Sequence, residues 1–135
     1  MSLKNYHVFI SHPWKYPNPY ETVKRWLDEA NYFIWSDYSV PFYDPLDANT
    51  DRKLKTEIRQ QIASCSCVVI LSGMYVSYSK WINYEIDTAI EMGKPIIGVK
   101  PWGQERIPAK VSENASVIVG WNSASVVQAV RDYSL

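Results

Sequence analysis

A run of five apolar residues without alternation, Cys67-Val68-Val69-Ile70-Leu71, lies at the middle of the chain between two segments of helical spacing. Such a run is the mark of a strand covered on both faces, which an open, one-sided sheet would not need. Four further short runs read as strands: Tyr6-His7-Val8-Phe9-Ile10, Phe33-Ile34-Trp35-Ser36-Asp37, Pro95-Ile96-Ile97-Gly98-Val99 and Val117-Ile118-Val119. Helical stripes separate most of them. Val23, Trp26, Leu27 and Ala30 form the first, with a stop at Asn31. Leu54, Ile58 and Ile62 form the second, opened by the capping sequence Asn49-Thr50-Asp51. Ile82, Ile86, Ala89 and Ile90 form the third, over 81–92, closed by Gly93. Val126, Val127 and Val130 form the last, capped by Ser123, while around Val111 the pattern fits a short helix or nothing regular.

Alternating strands and helices with fully covered strands predict a parallel sheet with helices on both faces, wound right-handedly. With five strands the expected order is 2-1-3-4-5, a three-layer, flavodoxin-like α/β fold. The 135 residues contain no repeat or linker and read as a single domain over 1–135. Fourteen basic and fourteen acidic residues cancel, so the excess of positive charge used for nucleic-acid backbones is absent and no nucleic-acid partner is expected. No apolar run approaches the roughly 18 residues of a membrane span, and Met1 to Tyr6 carries no apolar signal segment. Cys65 and Cys67 stand too close to bridge readily and have no companion ligands for zinc, so reduced thiols, no metal and a cytoplasmic location are expected.

In sheets of this order ligands bind beyond the carboxyl ends of the strands, where the order reverses. That crevice would be bounded by the loops 11–19, 37–48 and 72–80. They hold Ser11, His12, Trp14, Asp37, Tyr38, Asp44, Ser72, Tyr75, Tyr78, Ser79 and, at the start of the next helix, Trp81. Aromatic faces with a few polar groups describe a nucleotide pocket; the plainer reading is that proline- and tyrosine-rich loops pack on themselves. The three prolines of 13–19 argue against regular structure there. On the helix 81–92, at about 100° per residue, Glu85 falls at the edge of the apolar face, one turn after Trp81, whereas Asp87 and Glu91 point to solvent. A part-buried acid is either used or paired; the pairing alternative is a salt bridge, for instance to Lys53 or Arg52 of the preceding helix. His7, inside a strand, reads as a satisfied core residue, and His12 as either a ligand contact or a solvated or structural loop residue.

Particular residues also resemble a known family. Tyr6 to His12 resembles the opening strand of Toll/interleukin-1 receptor (TIR) domains. Leu71-Ser72, Tyr75, Ser79-Lys80-Trp81 and Glu85 resemble the later TIR stretch that ends in Trp, Cys, two variable residues and Glu, and Lys94-Pro95-Ile96-Ile97 resembles the strand after it. The whole chain, with Ser11-His12-Pro13-Trp14-Lys15-Tyr16, Asp44-Pro45, Lys100-Pro101-Trp102-Gly103 and Gly120-Trp121-Asn122, is similar to the prokaryotic TIR-like family that includes the ThsB protein of Thoeris antiphage defence. Three departures stand out: Ile82 replaces the cysteine, Tyr78 is an extra residue, and 12–19 lacks the acid often found there.

The resemblance implies an enzyme that cleaves the bond between nicotinamide and ribose in NAD, with NAD as substrate and no cofactor. It implies Glu85 as the catalytic carboxylate, and a cyclic or conjugated ADP-ribose product that reaches a separate effector protein. Substrate contacts are expected from Ser11, His12, Trp14, Asp37, Ser72, Tyr75 and Trp81. Nicotinamide leaves a cationic pyridinium as a neutral molecule, so one carboxylate that stabilises an oxocarbenium-like transition state is sufficient. Two other classes compete. A non-catalytic TIR module would self-associate through the loop after the second strand, where Val40-Pro41-Phe42-Tyr43 offers apolar surface. A nucleoside deoxyribosyltransferase has a similar fold and also uses a glutamate at an N-glycosidic bond. A phosphoacceptor receiver is excluded, because Ser11-His12 and Ser72-Gly73 stand where its acids would be.

Overall fold

The fully apolar run becomes the central strand of the sheet. In chain order the elements are β1 (Asn5–Ile10), β2 (His12–Pro13), α1 (Asn18–Glu29), β3 (Ile34–Asp37), β4 (Pro41–Phe42), α2 (Ala48–Ser64), β5 (Cys67–Leu71), a 3-10 turn (Ser72–Met74), α3 (Tyr75–Glu91), β6 (Ile96–Val99), α4 (Ala109–Asn114), β7 (Val117–Val119) and α5 (Ser123–Tyr133). This computed structural model describes residues 3–13, 18–42, 48–100 and 106–135; at 12–13, 41–42, 48–51 and 74–79 the description is of the backbone.

Five strands form one sheet in the order β3-β1-β5-β6-β7, and every neighbouring pair is parallel. Counting those five alone, this is the expected 2-1-3-4-5 order. Because side chains alternate along a strand, each central strand feeds both layers. Phe9, Val68, Ile70 and Ile96 meet Leu54, Ile58 and Ile62 of α2, Ile82 and Ile86 of α3 and Val111 of α4. Val8, Ile10, Val69, Leu71 and Ile97 meet Val23 and Leu27 of α1 and Val126 and Val130 of α5. Gly98 faces α4, and a Cβ there would lie 2.7 Å from Ile118 Cδ1 and 2.9 Å from Val111 Cγ1. The absent side chain therefore sets how closely α4 docks, and α4 is the short helix that the pattern around Val111 allowed. No helix among the described residues is long and apolar enough to cross a membrane.

Several local expectations need correction. The proline-rich stretch is not free of regular structure: β2 pairs with β4, and α1 starts at Asn18 with Pro19 in its first turn, where a missing N–H goes unnoticed. The helix predicted over 81–92 begins at Tyr75, so 75–80 is helix and not loop; Tyr75 to Lys80 has no apolar period to reveal it. Ile90, assigned to the buried face, is 49% exposed. Asn122, not Ser123, caps α5, its side chain accepting from the Ser125 amide at 2.9 Å. Val40, offered as interface surface, is buried in the core between α2 and the sheet. His7 is half-buried and not in the core; it stacks on Tyr38 with centroids 4.6 Å apart, and its Nδ1 lies 3.3 Å from the Ser64 carbonyl.

Candidate functional site

Strand order reverses between β1 and β5, and the residues that follow these two strands are Ser11 and Ser72. Ser11 continues the ladder by one bond, its amide donating to the Val69 carbonyl at 2.9 Å. Ser72 opens the 3-10 turn that leads into α3. The sheet-facing side of α3 carries Trp81, Ile82, Glu85, Ile86, Thr88 and Ala89, all buried. At about 100° per residue, Glu85 lies near the centre of that arc, not at its edge, and it is 0% exposed. Ser11, Ser72, Trp81 and Glu85 are thus four buried residues with polar groups at the carboxyl end of the central strands or on the helix that follows them.

Buried polar atoms in folded proteins nearly always have partners. Here the Ser11 and Ser72 hydroxyls and both Glu85 carboxylate oxygens have no hydrogen-bond partner among the described residues. The salt bridge to Arg52 or Lys53 does not form: both are exposed, and the described ion pairs of α3 are Arg59–Glu91 and Lys110–Asp87. Burial pushes the Glu85 carboxyl up to about 8, and the neighbouring Ser11 hydroxyl works in the opposite direction without a bond of normal geometry. The Trp81 ring stands edge-on to Tyr84 with centroids 6.3 Å apart, and Lys80 Nζ lies 4.9 Å from its centre.

The remaining expected contacts divide. Asp37 ends β3 and is exposed; its Oδ1 accepts from the Ser39 amide at 2.9 Å and its Oδ2 from the Tyr20 hydroxyl. His12 lies on β2, in register with Pro41. Tyr75 is the first residue of α3. The side chains of His12 and Tyr75 and all of Trp14 lie outside the described residues, as do the side chain of Asp44 and those of Tyr78 and Ser79. Tyr20 and Ser39 were not anticipated. An Asp-x-Ser turn at the end of a strand and an aromatic hydroxyl in the first turn of the preceding helix were the available signals.

Cys65 and Cys67 are unbridged and buried, and burial pushes their thiols up to about 12 and about 11, which removes them as nucleophiles. Among the described residues no group of three or more His, Cys, Asp or Glu side chains is arranged to hold a metal ion. Cavities bounded by described residues include a groove of about 440 Å³ between α1 and α5 beside Trp26 and Arg131 and, next to the end of β3, a polar one of about 330 Å³ beside Ser39, Val40 and Glu57.

Comparison with known proteins adds one informative match. The family model of the Thoeris protein ThsB, TIR-like domain, matches residues 9–106, well over half of the chain. Among solved structures, a 3-dehydroquinate dehydratase-like protein from Bifidobacterium longum is similar with a TM-score of 0.49 and 13% identity, covering 98% of this chain and 95% of that one. No curated protein matches.

Proposed function

The chain belongs to the TIR-like domain family of the Thoeris protein ThsB, and from that premise we propose that it cleaves the nicotinamide–ribose bond of NAD, with Glu85 as the catalytic carboxylate. One observation carries the reading: Glu85, on the helix that follows the central strand and near Ser11, is a wholly buried acid with no ion-pair or hydrogen-bond partner among the described residues. An acid in that state destabilises the fold, and such perturbed groups concentrate at sites of chemistry.

The bond that breaks joins the ribose anomeric carbon to the pyridinium nitrogen. Its electron pair leaves with the ring, which becomes neutral nicotinamide, and positive charge passes to the ribosyl oxocarbenium. A carboxylate fixed beside that carbon stabilises the charge as it develops. Ser11 and Ser72 supply hydroxyls for the ribose or a phosphate, and Trp81 an aromatic face. Asp37, whose two oxygens already serve Ser39 and Tyr20, contributes by ordering the chain next to Ser11. His12, Trp14 and Tyr75 complete the proposed contact set. The acceptor then decides the product: water gives ADP-ribose, whereas an adenosine atom or a second molecule gives the cyclic or conjugated messenger favoured here, which acts on a separate effector.

With its carboxyl at about 8, most of the unliganded protein holds Glu85 protonated at neutral pH. A bound pyridinium cation favours the ionised form. The expected kcat/KM therefore rises with pH up to about 8 and then levels, while kcat levels at lower pH. The deciding experiment incubates purified protein with NAD and follows nicotinamide and the mass of the ribosyl product. Glu85→Gln should remain folded and lose turnover by roughly a thousandfold or more; release at the wild-type rate from that variant overturns the assignment.

A further inference from the structure

β1 and β3 form a parallel ladder from Asn5–Ile34 to Val8–Asp37. The same two stretches of chain meet again as β2 and β4, at His12–Pro41 and Pro13–Phe42. The Tyr38 amide still donates to the Val8 carbonyl at 2.8 Å; beyond it, pairing between these two stretches lapses over residues 9–11 and 39–40, and Ser11 stands in that gap. Interrupted pairing of this kind re-aims side chains, and it needs substitutes for the missing rungs.

The substitutes form a continuous relay. The Tyr20 hydroxyl on α1 donates to Asp37 Oδ2. Asp37 Oδ1 accepts from the Ser39 amide at 2.9 Å. Ser39 Oγ accepts from the Ile10 amide at 2.8 Å. Ile10 is wholly buried, so its N–H has no recourse to water and depends on that hydroxyl. On its other side Ser11 is tied to β5 through the Val69 carbonyl at 2.9 Å. The residue pair 10–11 is therefore held from both neighbouring strands, and on the β3 side the holding group is a side chain whose orientation is set two bonds away by Tyr20. Burial, then the bond to Asp37, raises the Tyr20 phenol, so it remains a protonated donor across the working pH range.

We propose that Tyr20 is a positioning residue of the crevice: acting through Asp37 and Ser39, it fixes Ile10 and with it the Ser11 hydroxyl against Glu85, and so governs how the dinucleotide is held. What is held rests on the NAD reading above; the relay itself does not. Tyr20 belongs to the layer across the sheet from Glu85, because α1 packs on one face and α3 on the other. Removing its hydroxyl therefore leaves the packing around Glu85 intact.

Two variants, Tyr20→Phe and Ser39→Ala, test this by amide exchange and by kinetics. Exchange at Ile10 and Ser11 should quicken by about tenfold in each, with amides of α5 and β6 unchanged. The double variant should exchange no faster than the faster single one, because both cut the same chain. With NAD, KM should rise about fivefold or more while kcat stays within about twofold, since Glu85 stands outside the relay. Unaltered exchange at Ile10 in Tyr20→Phe overturns the relay, and so does uniform quickening at every amide, which marks a general loss of stability. An unchanged KM beside quickened exchange overturns the positioning role. Wild-type protein that releases no nicotinamide defeats the NAD reading instead, and the exchange measurement then decides the relay alone.

Discussion

The two flanks of α3 treat their acids in opposite ways. On the outer flank Asp87 lies 2.6 Å from Lys110 Nζ, and Glu91 receives both Arg59 nitrogens at 2.9 and 3.2 Å. The Glu91 side chain is 63% exposed, and its carboxyl is held below the usual carboxylate range by the Arg59 guanidinium. On the sheet-facing flank Glu85 is fully buried, has no such partner among the described residues, and is pushed upward. Paired surface acids add little to stability and carry no chemistry. A buried acid opposes folding whenever it is ionised without a partner, which is the property a reaction through a cation can use.

The comparison is broken most decisively by activity. If the flanks differ as argued, Glu85→Gln abolishes nicotinamide release and Glu91→Gln leaves it at the wild-type rate; equal losses would erase the distinction. The next largest effect is on stability against pH. The folded Glu85 value, about 8, lies above the ordinary 4.5, so the folded state binds more protons between those limits. Stability is greatest below the lower value and falls as pH rises to the upper one, by up to about 1.4 kcal/mol per pH unit. Urea unfolding at pH 5, 6.5 and 8 should record that decline in the wild type, and a flatter line in Glu85→Gln.

A third measurement concerns the apolar neighbour of Glu85. Ile86 is wholly buried in the same layer, and Ile86→Ala should destabilise by about 3 kcal/mol through the cavity it opens. The slope with pH should persist in that variant unless the cavity admits water to Glu85, in which case the slope shrinks. The smallest effect belongs to the outer flank. Glu91→Gln should leave the urea midpoint where it is, and added salt should make no difference between variant and wild type.

Much of this was legible without coordinates. The five strands announced themselves because a strand buried on both faces has to be apolar throughout, and chain handedness then left few ways to order them. Trp81 and Glu85 were legible as a pair because one helical turn separates them. The depth of Glu85 was not. Apolar periodicity weights only apolar residues, so it centred the buried face on Ile86 and Ile90 and moved the acid to its edge; the fold buries Glu85 and exposes Ile90. The first turns of α3 were missed for a related reason, since Tyr75 to Lys80 offers no stripe to count. Asp37 and the turn to Ser39 are local pattern, but Tyr20, the other partner of Asp37, lies 17 residues away on α1.

The order of strands, the two-sided burial of the sheet and the candidacy of one glutamate beside a tryptophan follow from local pattern, because backbone pairing and helical spacing act over a few residues at a time. That Ser11, Ser72 and Glu85 are each buried with no hydrogen-bond partner among the described residues, and that Tyr20 reaches Ile10 through two side chains, was decided by packing. Those groups come together only once helices have closed on both faces of the sheet, and the free energy of an unpartnered polar atom depends on which neighbours the closed layers leave it.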